Sequence, residues 1–475
     1  MQTLTPRGID AAHDAVSVFR PGAELDRGLT SDRGARAAQA RPPGPHRLRE
    51  QLAMLAEFQS NPFRCMERLR EVHGDLVHFS FLGLEFFFVY APHTVDHVMA
   101  RNASNYRKNS VLRGWNEAFG QGLLTADAPV WKRSRRLMQP AFHRDQLAEY
   151  RLRMETCARA FAEGLESGRA PVQRLLMGLA LDIVARTLFG RDIPADTVAR
   201  ASAALARLTE YFEATQSAPG QLLRKWPFPA RFRYLRAIRE LEEIVLGFVA
   251  ARYPGTWHGE RSTDLLGMLL AASDDDGSSF TGQQLRDELF TLFLAGHETT
   301  GLALNATLFL LAHHPDVQEQ TASELAEGNT EPLRRVIRES LRLYPPAWGV
   351  GREPIEDDVI DGYRIPAGAN VVIPIWVIHR DPRTFPDPRR FDPERWTPQL
   401  EQRLSHASYL PFGYGPRMCI GAQFATIEME VVLTELLTRW HVRPSSDTPA
   451  LDALELRGSI TARPRHELFL DLARR

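Results

Sequence analysis

The chain has 475 residues, 44% hydrophobic and 25% charged, with a formal net charge of −1. That is a globular composition long enough for a large core, and the balanced charge argues against nucleic acid or an anionic membrane recognised by bulk electrostatics. Three cysteines (Cys65, Cys157, Cys419), none in CxxC spacing, give no disulfide framework and no zinc site, and point to a reducing compartment.

Residues 1–40 are polar, rich in Arg and Asp and without clear periodicity, which predicts a disordered or loosely packed extension. They contain no apolar stretch of the kind a secretory signal or anchor needs. Elsewhere no run reaches the roughly 18 to 20 apolar residues of a spanning helix. Only Lys108, Lys132 and Lys225 are lysines among 58 basic residues, a bias that reads as genomic base composition rather than phosphate recognition. "RPPGP" (41–45) opens the folded body. "DLVHFSFLGLEFFFVY" (75–90) alternates at Val77, Phe79 and Phe81, breaks at Gly83 and resumes, predicting a β-hairpin. In "PVWKRSRRLMQPAF", Trp131 and Arg135 share a helical face within a basic cluster of Lys132, Arg133 and Arg136. That is either a solvated basic face or an indole N–H and a guanidinium meeting a buried anion. "RLLMGLALDIVARTLFG" predicts a buried helix closed by Gly190.

A longer helix is predicted over 281–314. "TGQQ" has capping-box spacing, Thr281 to Gln284, and Pro315 follows two histidines that suit a helix C-terminus. Apolar segments flank a polar interruption, "AGHETT" (295–300). Gly296 costs about 1 kcal/mol in a helix interior, and a buried carboxylate at Glu298 is costly unless paired. Ala295 and Thr299 share a face. The hexapeptide is either a kink where helices cross or a pocket with an acid and an alcohol over it. A zinc-protease motif fails, because Gly301 stands where the second histidine belongs.

"VIRESLRLYPP" sets Glu339 and Arg342 at i, i+3. Glu67–Arg70 and Glu331–Arg334 share that spacing, and such an exposed pair contributes only a few tenths of a kcal/mol. Arg395, in "FDPERW", could extend the Glu339–Arg342 pair into a network locking the loop that bears Cys419. Sheet signals return in "DDVIDGYRIPAGANVVIPIWV" and "RGSITARPRHELFLDL", so residues 41–475 read as one mainly helical α+β domain. Finally "PFGYGPRMCIGAQFA" (411–425) sets Cys419 before a helix, whose N–H groups and dipole favour a thiolate. Gly413, Gly415 and Gly421 permit tight turns and close approach of a flat partner. A nucleophile would need a nearby histidine that no motif supplies. A thiolate ligand to haem iron fits, with Arg417 available for a haem carboxylate.

These residues resemble the cytochrome P-450 family. Its F-x-x-G-x-R-x-C-x-G signature is matched by Phe412, Gly415, Arg417, Cys419 and Gly421, and (A/G)-G-x-(D/E)-T-T by Ala295, Gly296, Glu298, Thr299 and Thr300. E-x-x-R matches Glu339 and Arg342, with Arg395 completing the triad, and W-x-x-x-R matches Trp131 and Arg135. All stand in family order over residues 41–475. Bacterial soluble members, and the fatty-acid, terpenoid or carotenoid hydroxylase branch more than the camphor-type branch, are the nearer likeness.

The resemblance implies a triangular prism, mainly α with a minor β-sheet region, and haem b between the long helix and the cysteine loop. It implies Cys419 as the thiolate ligand, shielded by Phe412. Trp131, Arg135, Arg352 and Arg417 would hold the propionates, Ala295 and Gly296 would shape the oxygen groove, and Thr299 backed by Glu298 would relay protons. It further implies a monooxygenase using O2 and electrons from a ferredoxin or flavodoxin with its reductase, while the lack of an apolar anchor and the arginine bias point to a bacterial cytoplasmic enzyme, expected as a monomer. An acidic ferredoxin would dock on the basic cysteine side. A peroxide-fed peroxygenase and a non-catalytic haem sensor are the alternatives. Val111, Leu112, Trp115, Phe119, Phe293, Ala295, Ala347, Trp348, Val350, Ser459 and Ile460 are the expected pocket wall, and their apolar character predicts a lipophilic substrate.

Overall fold

The computed structural model describes residues 41–190, 194–215, 229–252, 264–274 and 277–475; the expected N-terminal extension lies outside them. Its axis is the helix Gly282–His313, 32 residues and about 48 Å long. Thr281 caps it as predicted: its Oγ1 accepts from the Gln284 N–H at 3.2 Å, and its own N–H donates to Gln284 Oε1 at 3.0 Å. Every residue from Thr300 to Ala312 is buried, the all-round burial of a helix that runs through a core. At the far end His313 Nδ1 and His314 Nδ1 lie 3.0 and 2.8 Å from the carbonyls of Phe309 and Leu310, covering last-turn acceptors.

The predicted buried helix spans Val172–Phe189 and ends at Gly190 in the left-handed conformation (φ 64°). It packs across the central helix so closely that a Cβ at Gly296 would stand 2.7 Å from Val184 Cγ2, and one at Gly301 3.0 Å from Met177 Cα. The glycine inside "AGHETT" is thus required by helix crossing, a reason additional to any groove it shapes.

Beside the helices lies a five-stranded sheet of β1 (Leu76–Phe81), β2 (Leu84–Val89), β3 (Tyr106–Lys108), β4 (Val350–Pro354) and β5 (Asn370–Ile373), in the order β1-β2-β5-β4-β3. The predicted hairpin is β1–β2, turning through Leu82 and Gly83, both at positive φ. Antiparallel pairing of β3 with β4 sets Lys108 opposite Arg352, so the register places two cations side by side. A short terminal hairpin, Leu456–Gly458 with Ala462–Pro464, stands apart from this sheet.

The Glu339–Arg342–Arg395 network forms as expected. Arg342 donates to Glu339 through Nε (2.9 Å) and Nη2 (2.8 Å), and Arg395 Nε donates at 2.8 Å. Both members of the inner pair are wholly buried. The two look-alike spacings do not pair internally. Arg70 binds Asp75 and Asp381, Arg334 binds Glu430, and Glu67 accepts from Trp376 and Arg389. Longer-range partners with better geometry win over the i, i+3 neighbour.

Candidate active site

Cys419 and "AGHETT" border one chamber of about 1960 Å3, between the central helix, the cysteine loop and the sheet. The cysteine loop is folded on itself: Cys419 N–H donates to Phe412 O at 2.9 Å, and Gly413 and Gly415 take φ of 74° and 72°. A side chain at Gly415 would collide with Met99 O, 2.0 Å from the Cβ position. Gly421 has an ordinary φ of −91° and no close neighbour, so neither turn nor packing demands glycine there. The loop is anchored from behind, where the Leu410 N–H donates to His379 Nε2 at 2.9 Å and Tyr409 Oη donates to Arg338 O at 3.0 Å.

Cys419 lies on the wall of this chamber, with part of its surface exposed. Burial pushes its thiol pKa up, against the opposing pull of the Gly421 N–H and the Arg135 cation. The Gly421 N–H at the helix start acts in the direction expected from the sequence, burial acts against it, and a bound cation would add to the stabilisation of the anion. Cys65, by contrast, is packed in the core with its pKa raised to about 12.

Around the chamber's side wall stand Lys108, Trp131, Arg135, Arg352 and Arg417. Arg135 Nη1 donates to Met418 O at 2.7 Å, next to the cysteine. The Arg417 guanidinium lies 4.8 Å over the Trp131 ring and donates to Asp127 Oδ1 at 3.1 Å. Lys108 Nζ donates to Leu123 O, and its backbone N–H to Asp127 Oδ1. Burial lowers the pKa of Lys108 and brings that of Arg352 down to about 10, with Arg417 adding repulsion to both. The acids alongside are Asp127 and Glu288, and burial pushes the latter up to about 7. Cations thus outnumber the carboxylates able to compensate them, and a flat ligand carrying two carboxylates would supply the missing charge. The residues present fit such a group.

Lys108 was not among the sequence-derived site residues. The available signal was its rarity in an arginine-rich chain, but its placement depends on β3 pairing with β4. Phe119 and Phe293, expected in the pocket wall, are instead core residues. Phe293 lies about 200° around the helix from Ala295, and Phe119 packs edge-on against Phe290. Val111, Leu112, Trp115, Ala347, Trp348, Val350, Ser459 and Ile460 do border the chamber, joined by Leu292, Phe212 and Ala303. Thr299 Oγ1 donates to Ala295 O one turn back, at 2.6 Å. Glu298 turns elsewhere, its Oε1 accepting from Thr461 Oγ1 at 2.8 Å.

A helical fold with a thiol and a ring of under-compensated cations on the wall of a largely apolar chamber defines the haem-thiolate class. The family profile described as Cytochrome P450 matches residues 41–469, and the chain belongs to that family. It is 34% identical to "Cyclooctatin synthase" of Streptomyces melanosporofaciens, over 82% of this chain and 88% of the relative. It is 31% identical to "Cyclooctat-9-en-7-ol 5-monooxygenase" of the same organism, over 79% and 84%. The crystal structure of the cytochrome P450DA heme domain superposes with a TM-score of 0.79 at 26% identity, covering 92% of this chain and 98% of that one. Membership makes the chain a monooxygenase with a haem-thiolate cofactor that uses O2 and redox partners. Among the described residues no helix is long and apolar enough to cross a membrane.

Proposed function

We propose that this chain hydroxylates a C–H bond of a cyclic terpenoid, acting as a cytoplasmic monomer with haem b and electrons from a separate ferredoxin or flavodoxin and its reductase. The chamber carries this reading. Its volume of 1960 Å3 is about twice the upper end of ordinary ligand pockets, roughly 300–1,000 Å3, so one space admits a cofactor and a bulky substrate together. Its lining is largely apolar, with Leu and Phe the most frequent, and the names of two relatives, "Cyclooctat-9-en-7-ol 5-monooxygenase" and "Pentalenene oxygenase", point to oxygenation of cyclic terpenoids.

In this reading Cys419 Sγ ligates the iron, and Lys108, Trp131, Arg135, Arg352 and Arg417 bind the two propionates. The haem, when bound, supplies reductive activation of dioxygen, which the thiolate assists by donating electron density. The chain's part is orientation and proton supply. The apolar wall excludes water and presents the substrate's C–H bond, Thr299 Oγ1 holds a proton at the chamber wall, and the Glu298 carboxylate replenishes it. On the outer side of the cysteine, a groove bordered by Trp131, Lys132, Arg135, Arg136 and His143 offers a basic face to an acidic electron donor. Part of that charge is spent within the chain, since Arg133 and Arg136 both pair with Asp274.

Titrating the holoprotein with cyclic terpenes, fatty acids, carotenoids and steroids is expected to give a low-to-high-spin Soret shift with the terpenes. A shift only with hydrophilic compounds would overturn the substrate class. Peroxide-driven turnover faster than reductase-driven turnover would overturn the electron route. Lys108→Met is expected to weaken haem binding about tenfold, the worth of one charge-assisted contact, in a titration of apoprotein with haemin. An unchanged affinity would remove Lys108 from the site.

A further inference from the structure

Glu298 has partners that no motif of the sequence announces. Thr461 Oγ1 donates to its Oε1 at 2.8 Å, and Arg463 Nη1 lies 3.9 Å from the same oxygen. Both partners come from the terminal hairpin, more than 160 positions along the chain. The carboxylate is buried, while the Arg463 side chain is 18% exposed. A buried acid is thereby linked through one guanidinium towards the protein surface, and desolvating it is offset by a hydroxyl and a nearby cation.

The turn that carries Thr461 is held firmly. Ser459 N–H donates to Thr461 O at 3.2 Å, and Trp348 Nε1 donates to Ser459 O at 3.0 Å. At its base a Cβ on Gly458 would approach Pro62 Cγ to 2.7 Å and both Phe63 and Trp348 to 3.2 Å, so the strand end is pressed onto an aromatic cluster. At its tip Ser459, Ile460 and Thr461 border the chamber. One turn therefore walls the substrate space and grips the acid.

We propose that Thr461 and Arg463 are positioning residues for Glu298: the terminal hairpin holds the carboxylate at the chamber wall, and proton supply depends on an element that the substrate touches. This rests on Glu298 being the acid that replenishes protons, as proposed above. Two electrons and two protons convert dioxygen to peroxide, and four of each convert it to water. An acid held out of place lets electrons leave as peroxide.

The test compares Thr461→Val, which keeps the shape and loses the hydroxyl, with Thr461→Ser, which keeps the hydroxyl, and with Glu298→Gln. The holoprotein is driven by NADPH through a surrogate ferredoxin and reductase without organic substrate, and peroxide released per NADPH consumed is measured. Thr461→Val and Glu298→Gln are both expected to raise it several-fold, with Thr461→Ser near the parent. Independently of turnover, amide hydrogen exchange across residues 456–464 is expected to quicken about tenfold in Thr461→Val, the loss of one hydrogen bond to a charged group. If Glu298→Gln leaves the peroxide yield unchanged, the reading of Glu298 fails. If Glu298→Gln raises it and Thr461→Val does not, the latch fails while that reading stands. If Thr461→Ser behaves like Thr461→Val, keeping the hydroxyl does not preserve proton supply, and the latch is again overturned.

Discussion

Cys419→Ala is expected to abolish the carbon monoxide Soret band of thiolate-ligated haem while leaving a folded protein. The two halves of that expectation have separate grounds. The thiol faces the chamber rather than the packed core, so its removal opens no new cavity of the kind that makes core truncations cost about 2–5 kcal/mol. The loop geometry does not depend on the sulfur either, because the Cys419 N–H to Phe412 O bond and the positive-φ glycines are backbone features. What the alanine removes is the soft anionic ligand, and among the described residues no histidine and no second cysteine borders the chamber to replace it. Cys65→Ala and Cys157→Ala serve as controls, since both thiols lie in the core away from the chamber. Near-ultraviolet circular dichroism of Cys419→Ala should match the parent apoprotein. Retention of the thiolate-type band in that variant would refute the ligand assignment.

What the sequence disclosed and what it hid divide along physical lines. The hairpin at 75–90, the capping box at Thr281, the Gly190 stop and the cysteine loop are local: their signals lie within a few residues of the feature they specify. The Glu339–Arg342 pair was also legible, since i, i+3 spacing on a helix is local geometry. Its rank above Glu67–Arg70 and Glu331–Arg334 was not, because Arg70 and Arg334 find better partners far along the chain. Lys108 meets Arg352 only through the pairing of two strands some 240 residues apart. Glu298 could be placed on its helix, but not assigned its partner Thr461, and the nominal pairing of acid with Thr299 concealed that it faces another element. The state of the Cys419 thiol had the same obstacle. The helix start that favours the anion is visible in the sequence, whereas the burial that opposes it belongs to the assembled fold.

Glu339→Gln is expected to be among the most damaging single substitutions in the chain. The two oxygens of Glu339 together accept five hydrogen bonds. Oε1 takes Arg342 Nη2, Arg395 Nε and the Asp392 N–H at 2.8, 2.8 and 3.0 Å; Oε2 takes Arg342 Nε and Trp396 Nε1 at 2.9 and 3.1 Å. A glutamine must turn an NH2 group towards one of these sets of donors, and it leaves the wholly buried Arg342 charge without its carboxylate. Breaking a buried pair on one side costs about 3–5 kcal/mol, a large share of the roughly 5–15 kcal/mol that holds a native domain. Arg342→Lys is expected to be nearly as harmful despite keeping the charge. The guanidinium uses both Glu339 oxygens and the carbonyls of His379, Pro388 and Arg390, five acceptors that match its five N–H groups, whereas an ammonium has three. The consequence reaches the site, because His379 receives the Leu410 N–H and Tyr409 stacks on its ring, immediately before the cysteine loop. Both variants should therefore show a lower thermal midpoint and a reduced haem content, measured together on the purified protein. A variant with the parent's midpoint and full haem content would mean that the network is dispensable for seating the loop.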